Sequence, residues 1–567
     1  MSPDCWFASN EFLSKGIRNH HSLFRLVIAT LRFFSYVSKC KLIWVRELFF
    51  AMKRRDFVKV ASGSLFSLPF AACSTDKTIP TPIVQLDSGN IRGSFIDGVY
   101  RYLGIPYAEP PFGENRFRPA ITRVAWEGVF EANQYGEICP QTGGGGLDGG
   151  LREGEDCLNL NVWTPDPTAK GLPIMVWVHG GGQISGSGSE ALSDGTHFAK
   201  EGVVFISNNR RLGAEGYLYL EELFGDGIGP GNLGILDQIE VLRWVQRNAS
   251  KFGGDPNNVT LFGISGGGAA IQALVSTEGS KDLVHKVIPQ SGGHSAQRRE
   301  SAGQISEFAL RKIGIKPGDI DSLQKTPWRI FPEIYGDIEA QGLGSPQAYL
   351  PMISESMPIH PVDATYAGIG SDIDYLTGTC LDEGSLFNAL GVSPFESRSE
   401  QLLTKFSIKK EDLLQSYLSA RPELNSKEAA TTMSADMWFR VPTIRIAEGH
   451  TARSKARTFM YLFTWESQFL GATHAMDGVV FGNGVPFGFL AGFNSPDKVS
   501  QQMRKSWINF AKYGDPSFDS FRWPEYEQTH RFTASINDNF SLLTDPYSKQ
   551  RALLEPVLTA NWLDSGL

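Results

Sequence analysis

Ser265 stands in Gly263-Ile264-Ser265-Gly266-Gly267, directly after the apolar run 259–262 and before a helix-like stretch, 268–276. This is G-x-S-x-G at a strand-to-helix turn, a pattern that lifts a serine above a sheet edge in a strained backbone. Side chains at the flanking positions would collide with neighbouring backbone, which is why glycines are needed there. The helix N-terminus aims free N–H groups at the serine and favours negative charge developing beside it. A chain with 60 glycines can match this pattern by composition alone, so context must decide. The context lies upstream, where the apolar run 174–178 enters His179-Gly180-Gly181-Gly182. A glycine-rich turn after a strand can direct backbone N–H groups at a substrate oxygen. The two motifs in this order point to acyl transfer through a serine.

Such chemistry needs rigid elements beneath it. Apolar runs recur at 174–178, 203–206, 259–262, 284–288 and 459–463, rich in β-branched and aromatic residues and without alternation. Runs of this kind suit strands buried on both faces of a mostly parallel sheet. Between them, Ile235, Ile239, Leu242 and Val245, with Trp244 beside them, follow helical spacing. Alternating strand and helix predicts an α/β architecture. The stretch from about 300 to 450 reads as more helical and irregular, a cap on the sheet.

At this point the chain resembles the type-B carboxylesterases, a group of α/β-hydrolases that includes bacterial carboxylesterases and cholinesterases. The resemblance runs from about residue 83 to 530. It is carried by Gly104-Ile105-Pro106-Tyr107-Ala108-Glu109-Pro110-Pro111, Cys139-Pro140-Gln141 and Glu155-Asp156-Cys157-Leu158-Asn159-Leu160-Asn161-Val162-Trp163. Further along stand Phe252-Gly253-Gly254-Asp255-Pro256, Gln290-Ser291-Gly292, Trp507-Ile508-Asn509-Phe510-Ala511 and Gly514-Asp515-Pro516. The resemblance implies a large, mostly parallel sheet flanked by helices, with a helical cap region. It also implies a Ser–Glu–His triad. The acid matches Asp382-Glu383-Gly384 at Glu383, and the base matches Gly471-Ala472-Thr473-His474 at His474. A serine hydroxyl is a weak nucleophile until an imidazole takes its proton, and the imidazole needs a buried acceptor to fix its tautomer. Asp382 is the alternative acid, with surface or supporting polar contact as the preferred role.

By the same resemblance the N–H groups of Gly181, Gly182 and Gly266 form the oxyanion hole, and Cys139 pairs with Cys157 in a disulfide. That disulfide closes a loop holding glycines 143–146, 149 and 150, worth roughly 3 kcal/mol. Cys380 is left as a buried thiol. The triple glycine also implies room for tertiary alcohols, with Gln183 as the side chain that could fill it. Two residues depart from the family elbow G-E-S-A-G: Ile264 replaces a carboxylate and Gly266 replaces alanine. The activity implied is carboxylic ester hydrolysis. Amide, carbamate or thioester cleavage by the same triad, or a cholinesterase-like binding role, are the alternatives.

Composition narrows the partners. The first 72 residues hold 11 basic and 4 acidic side chains, whereas the rest hold 42 and 57. An acidic body repels nucleic acid and anionic lipid surfaces, and the partner that the resemblance implies is a small-molecule ester. None of the six cysteines stands at metal-ligand spacing, and no metal or cofactor is expected. Met52-Lys53-Arg54-Arg55-Asp56-Phe57-Val58-Lys59 and the apolar run 60–72 read as an export signal of twin-arginine type. It closes on Phe70-Ala71-Ala72-Cys73, which resembles a lipoprotein cleavage site with lipidation at Cys73. The expected layout is therefore an over-extended start at 1–51, a signal at 52–73, a tether at 74–82 and one α/β-hydrolase domain at 83–567. The expected location is periplasmic or extracellular, with a lipid anchor to the membrane at Cys73.

Overall fold

The strand Leu172–Val178 (β8) shows how the chain divides its core. Ile174, Val176 and Val178 belong to one hydrophobic cluster, while Met175 and Trp177 belong to another. Successive side chains of a strand point to opposite faces, so a run with no polar alternation is buried from both sides. Val204–Asn208 (β9) repeats the arrangement, with Val204 and Ile206 on one face and Phe205 on the other.

These strands belong to a computed structural model that describes residues 79–142, 151–293, 296–343, 348–392, 395–482, 490–492 and 496–562. The expectations for 1–51, for the signal 52–73 with Cys73, for tether residues 74–78 and for glycines 143–146, 149 and 150 lie outside the described residues.

The main sheet has twelve strands. Besides β8 and β9 they are Ile79–Pro80 (β1), Ser94–Ile96 (β4), Val99–Pro106 (β5), Asn159–Thr164 (β7), Gly254–Ile264 (β10), Lys286–Gln290 (β11), Asp374–Cys380 (β12), Thr458–Phe463 (β13), Phe532–Ile536 (β14) and Ser541–Thr544 (β15). Their order is β1-β4-β5-β7-β9-β8-β10-β11-β12-β13-β14-β15. From β9 to β14 every neighbouring pair is parallel, and both margins are antiparallel. Val84–Gln85 (β2), Asn90–Arg92 (β3) and Val129–Glu131 (β6) form a separate small sheet.

All five apolar runs read from the sequence contribute to strands of the parallel region: β8, β9, β10, β11 and β13. The helical spacing around Ile235 is α1, Leu233–Asn248, and the stretch after Ser265 is α2, Gly266–Val275, buried at all ten residues. The stretch 300–450 needs one correction. It is largely helical, but β12 lies within it and is inserted in the sheet between β11 and β13. Its sequence, Asp374-Tyr375-Leu376-Thr377-Gly378-Thr379-Cys380, dilutes the apolar pattern with threonines and a glycine. Gly378 is required because a Cβ there would collide with Tyr461 of β13. A short helix, Glu383–Ala389 (α3), follows β12. On one face of the sheet lie α1, α2 and the helices Ser426–Trp438 (α4) and Arg440–Arg453 (α5). On the other, Asp497–Tyr513 (α6) buries Trp507 and Phe510 with Trp177, Phe205 and Phe262. Fully burying an aromatic side chain of this size contributes on the order of 2–3 kcal/mol.

Candidate active site

Four loops that matter leave the same edge of the sheet, the carboxyl ends of β8, β10, β12 and β13. In parallel α/β sheets that edge is where ligands bind. β10 ends at Ile264, α2 starts at Gly266, and Ser265 between them has φ 57° and ψ −125°. A non-glycine residue at positive φ is strained and persists only when its surroundings hold it. Here the Ser265 N–H donates to Gln290 O at 2.9 Å, and its carbonyl accepts from Ala269 N at 3.0 Å. A Cβ on Gly263 or Gly267 would collide with Val178 O, and one on Gly268 would stand 2.8 Å from Gln290 O. The elbow is thus wedged between the ends of β8 and β11, and only glycine fits around it. Ser265 itself is half-buried.

The loop after β8 lies against this elbow. A Cβ built on Gly180 would come within 3.7 Å of Ser265 Cβ, and one on Gly266 within 2.5 Å of Gly182 N. The second distance accounts for Gly266: with this loop conformation an alanine would press on the Gly182 amide. Gly181 and Gly182 have φ of 93° and 59°, and a Cβ on Gly181 would collide with Ser185 O. The Gly182 amide nitrogen therefore lies against the Gly266 backbone, next to the serine in the chain. His179 is buried and held neutral, because burial and the nearby Arg210 guanidinium both push its pKa well below the usual imidazole range. Its Nδ1–H donates to Gly180 O at 2.9 Å. Gln183 is buried, and its side chain is turned onto Gly266 O.

Glu383 and His474 are brought together across the ends of β12 and β13. Glu383 opens α3 and is 1% exposed. Its Oε2 accepts from His474 Nδ1 in a short hydrogen bond. Its Oε1 accepts from Ser291 Oγ at 2.6 Å and from Cys380 N at 2.7 Å. Three donors thus fix the carboxylate. Phe439 and Phe387 flank the imidazole, with ring centroids at 4.7 and 5.2 Å. His474 Nε2 is buried and makes no hydrogen bond, so Ser265 Oγ is not bonded to it. Such contacts are often loose without substrate and close in the reacting complex. Ser265 and Glu383 are nonetheless linked through one dipeptide: Gln290 O accepts from Ser265 N, and Ser291 Oγ donates to Glu383.

Asp382 has the supporting place expected of it. Its N–H donates to Ala472 O, its Oδ2 accepts from Ala472 N at 2.9 Å, and its Oδ1 pairs with Arg421. His450 bonds Thr458 and Gly370, and His530 lies exposed beside Glu527. Sequence reasoning missed Ser291 as the holder of Glu383, although Gln290-Ser291-Gly292 was visible as a motif. It also missed Asp477, which is fully buried, accepts from Tyr461 OH at 2.7 Å and has its pKa pushed up to about 6 by burial.

Cys139 and Cys157 are in contact as free thiols, Sγ to Sγ 3.0 Å, so the disulfide implied for them is not formed in this structure. Cys380 is a free, buried thiol. Among the described residues no group of three or more His, Cys, Asp or Glu could hold a metal ion, and no helix is long and apolar enough to cross a membrane.

Comparison with known proteins agrees with this architecture. The model of the carboxylesterase family matches residues 80–553. Para-nitrobenzyl esterase of Bacillus subtilis is 34% identical over 493 residues, covering 84% of this chain and 98% of that protein. Phenmedipham hydrolase of Pseudarthrobacter oxydans is 33% identical over 476 residues, covering 79% and 93%. Among solved structures, a Geobacillus stearothermophilus carboxylesterase superposes with a TM-score of 0.73 at 31% identity, covering 83% of this chain and all of that one. With a sheet of this order, a serine elbow at β10 and a family match over most of its length, the chain belongs to the carboxylesterase family.

Proposed function

We propose that this chain hydrolyses carboxylic esters of small molecules through an acyl-serine intermediate. The observation that carries the reading is the buried Glu383–His474 hydrogen bond, which leaves His474 Nε2 as a base with no other partner. Ser265 Oγ attacks the ester carbonyl carbon while His474 Nε2 takes its proton. Glu383 keeps the proton on Nδ1 and stabilises the imidazolium that forms. The negative charge that develops on the carbonyl oxygen is met by the N–H groups of Gly181, Gly182 and Gly266. One such donor is worth about 3 kcal/mol in the transition state. The intermediate collapses as His474 returns its proton to the leaving alcohol. Water then attacks the acyl-serine with His474 again as base, and the carboxylic acid leaves. We further infer that the protein works outside the cytoplasm, delivered by the signal at 52–73.

Ser265→Ala should lower ester turnover by about 10⁴-fold or more while the protein stays folded. A fluorophosphonate should label Ser265 and nothing else in proportion to lost activity. A Ser265→Ala protein with full activity, labelled at another serine, overturns the reading.

A further inference from the structure

Behind the glycine loop lies a buried polar group that the triad does not use. Gln183 is 1% exposed and holds φ 64°, a left-handed conformation that a side chain of its kind seldom adopts. It is tied down at every polar atom of its side chain. Nε2 donates to Gly266 O at 2.6 Å, and Oε1 accepts from Tyr217 OH at 2.9 Å and from Arg210 Nη2 at 3.1 Å. Its backbone carbonyl accepts from Gly213 N at 2.8 Å.

Arg210 is the less usual member. It is 0% exposed, Nη2 also donates to His179 O at 3.2 Å, and Nε and Nη1 have no hydrogen-bond partner. Its neighbour Arg211 is paired through two nitrogens with Asp237, at 2.9 and 2.6 Å. Arg210 forms no ion pair among the described residues. A buried cation without a carboxylate is costly. Such a charge is favoured most when negative charge appears nearby, and the reaction creates negative charge on the other side of this loop.

We propose that Gln183 and Arg210 are positioning residues that brace the oxyanion hole. Gly266 must lack a side chain to clear Gly182 N, and a glycine backbone is softer than any other about the Cα that joins the Ser265–Gly266 peptide to the next. Gln183 limits that freedom further, adding a side-chain hydrogen bond to the carbonyl on the other side of the same Cα at the start of α2. Arg210 polarises the Gln183 amide and so strengthens its N–H bond to Gly266 O. The brace fixes the Gly182 and Gly266 donors relative to each other, because Gln183 follows Gly182 in the chain. Alignment of this kind acts on the transition state and leaves substrate binding largely unchanged. This assignment rests on the proposed ester hydrolysis.

The test uses the full chain, with active sites counted by fluorophosphonate titration so that misfolded protein is excluded. Gln183→Met keeps the length and the burial and removes all three side-chain hydrogen bonds. Its kcat on nitrophenyl butyrate should fall about 10- to 100-fold with KM within about threefold. Its affinity for an aryl trifluoromethyl ketone, which forms a hemiketal oxyanion on the serine, should weaken by the same factor. Arg210→Met should behave alike, and the double variant should be no worse than the weaker single one by more than about twofold, since both act on one brace. If Gln183→Met does not fold, Tyr217→Phe and Arg210→Lys carry the test, each with an expected loss in kcat of about threefold or more. A kcat per titrated site within about twofold of wild type in the folded variants, with Ser265→Ala inactive, overturns the brace and leaves ester hydrolysis standing. Full activity in Ser265→Ala overturns ester hydrolysis at Ser265, and the brace with it.

Discussion

Asp382 and Thr473 pair across a parallel bridge beyond the ends of β12 and β13, and this sets Glu383 and His474, the next residue in each segment, side by side. The clamp is reinforced by Ser385 Oγ, which donates to Leu470 O at 2.6 Å and meets Thr473 Oγ1 at 2.7 Å. Two adjacent acids therefore have separate tasks. Asp382 joins the loops, and Glu383 meets the imidazole.

Substitution should separate the two. Glu383→Gln keeps the shape and withdraws the charge, so kcat should fall by about 10³- to 10⁴-fold with the melting temperature little changed. Asp382→Asn should cost far less kcat per titrated site but should destabilise the fold by about 1–3 kcal/mol, because Arg421, still paired with Glu423, loses the more buried of its two carboxylate partners. Kinetics and thermal melts on both variants decide it. A larger loss of kcat in Asp382→Asn would reverse the assignment of the acid.

Asp477 predicts a pH signature in stability. Burial raises its folded pKa from 3.8 to about 6. The stabilising effect of the protonated form is complete below 3.8 and is lost as pH rises through about 6, a change on the order of 3 kcal/mol. The amide introduced by Asp477→Asn cannot ionise. The melting temperature of that variant relative to wild type should therefore rise from about pH 4 to about pH 6 and level off above it. A difference that stays flat across this range means that Asp477 does not titrate there.

The glycines of the oxyanion loop predict a substrate range. Gly181 and Gly182 hold positive φ, and the Gln183 side chain is engaged with Gly266, so nothing from these three residues need crowd a branched alcohol. Wild type should cleave tert-butyl acetate as well as n-butyl acetate. Gly181→Val, whose Cβ would collide with Ser185 O, should lose both activities. Wild-type hydrolysis of the tertiary ester no faster than that by Ser265→Ala would refute this reading of the loop.

Export predicts two covalent outcomes. Replacing Arg54 and Arg55 by Lys should block export, and the exported chain should begin at or near Cys73, where an acylated cysteine would establish a lipoprotein. Cys139 and Cys157, whose sulfurs already touch, should be found joined in exported protein by non-reducing peptide mapping, with Cys380 free. Exported material that retains residues 1–51, or that holds Cys139 and Cys157 as thiols, contradicts the respective half.

The runs that became β8, β9, β10, β11 and β13 could be read directly from the sequence, because a strand buried on both faces carries no polar residue to mask it. Ser265 was legible once its motif was read together with the glycine turn at 180–182, since a positive-φ serine flanked by close backbone demands glycines at fixed positions. Glu383 and His474 were legible only by resemblance. Each is an ordinary polar residue in its own segment, and they meet because the segments that follow the neighbouring strands β12 and β13 pair at Asp382 and Thr473. β12 itself was missed, its threonines and glycine breaking the apolar pattern. The roles of Ser291, Gln183 and Arg210 belong to the tertiary structure alone. Each depends on a hydrogen bond between segments 27 to 92 residues apart, and sequence spacing carries no record of which buried donor will face which acceptor.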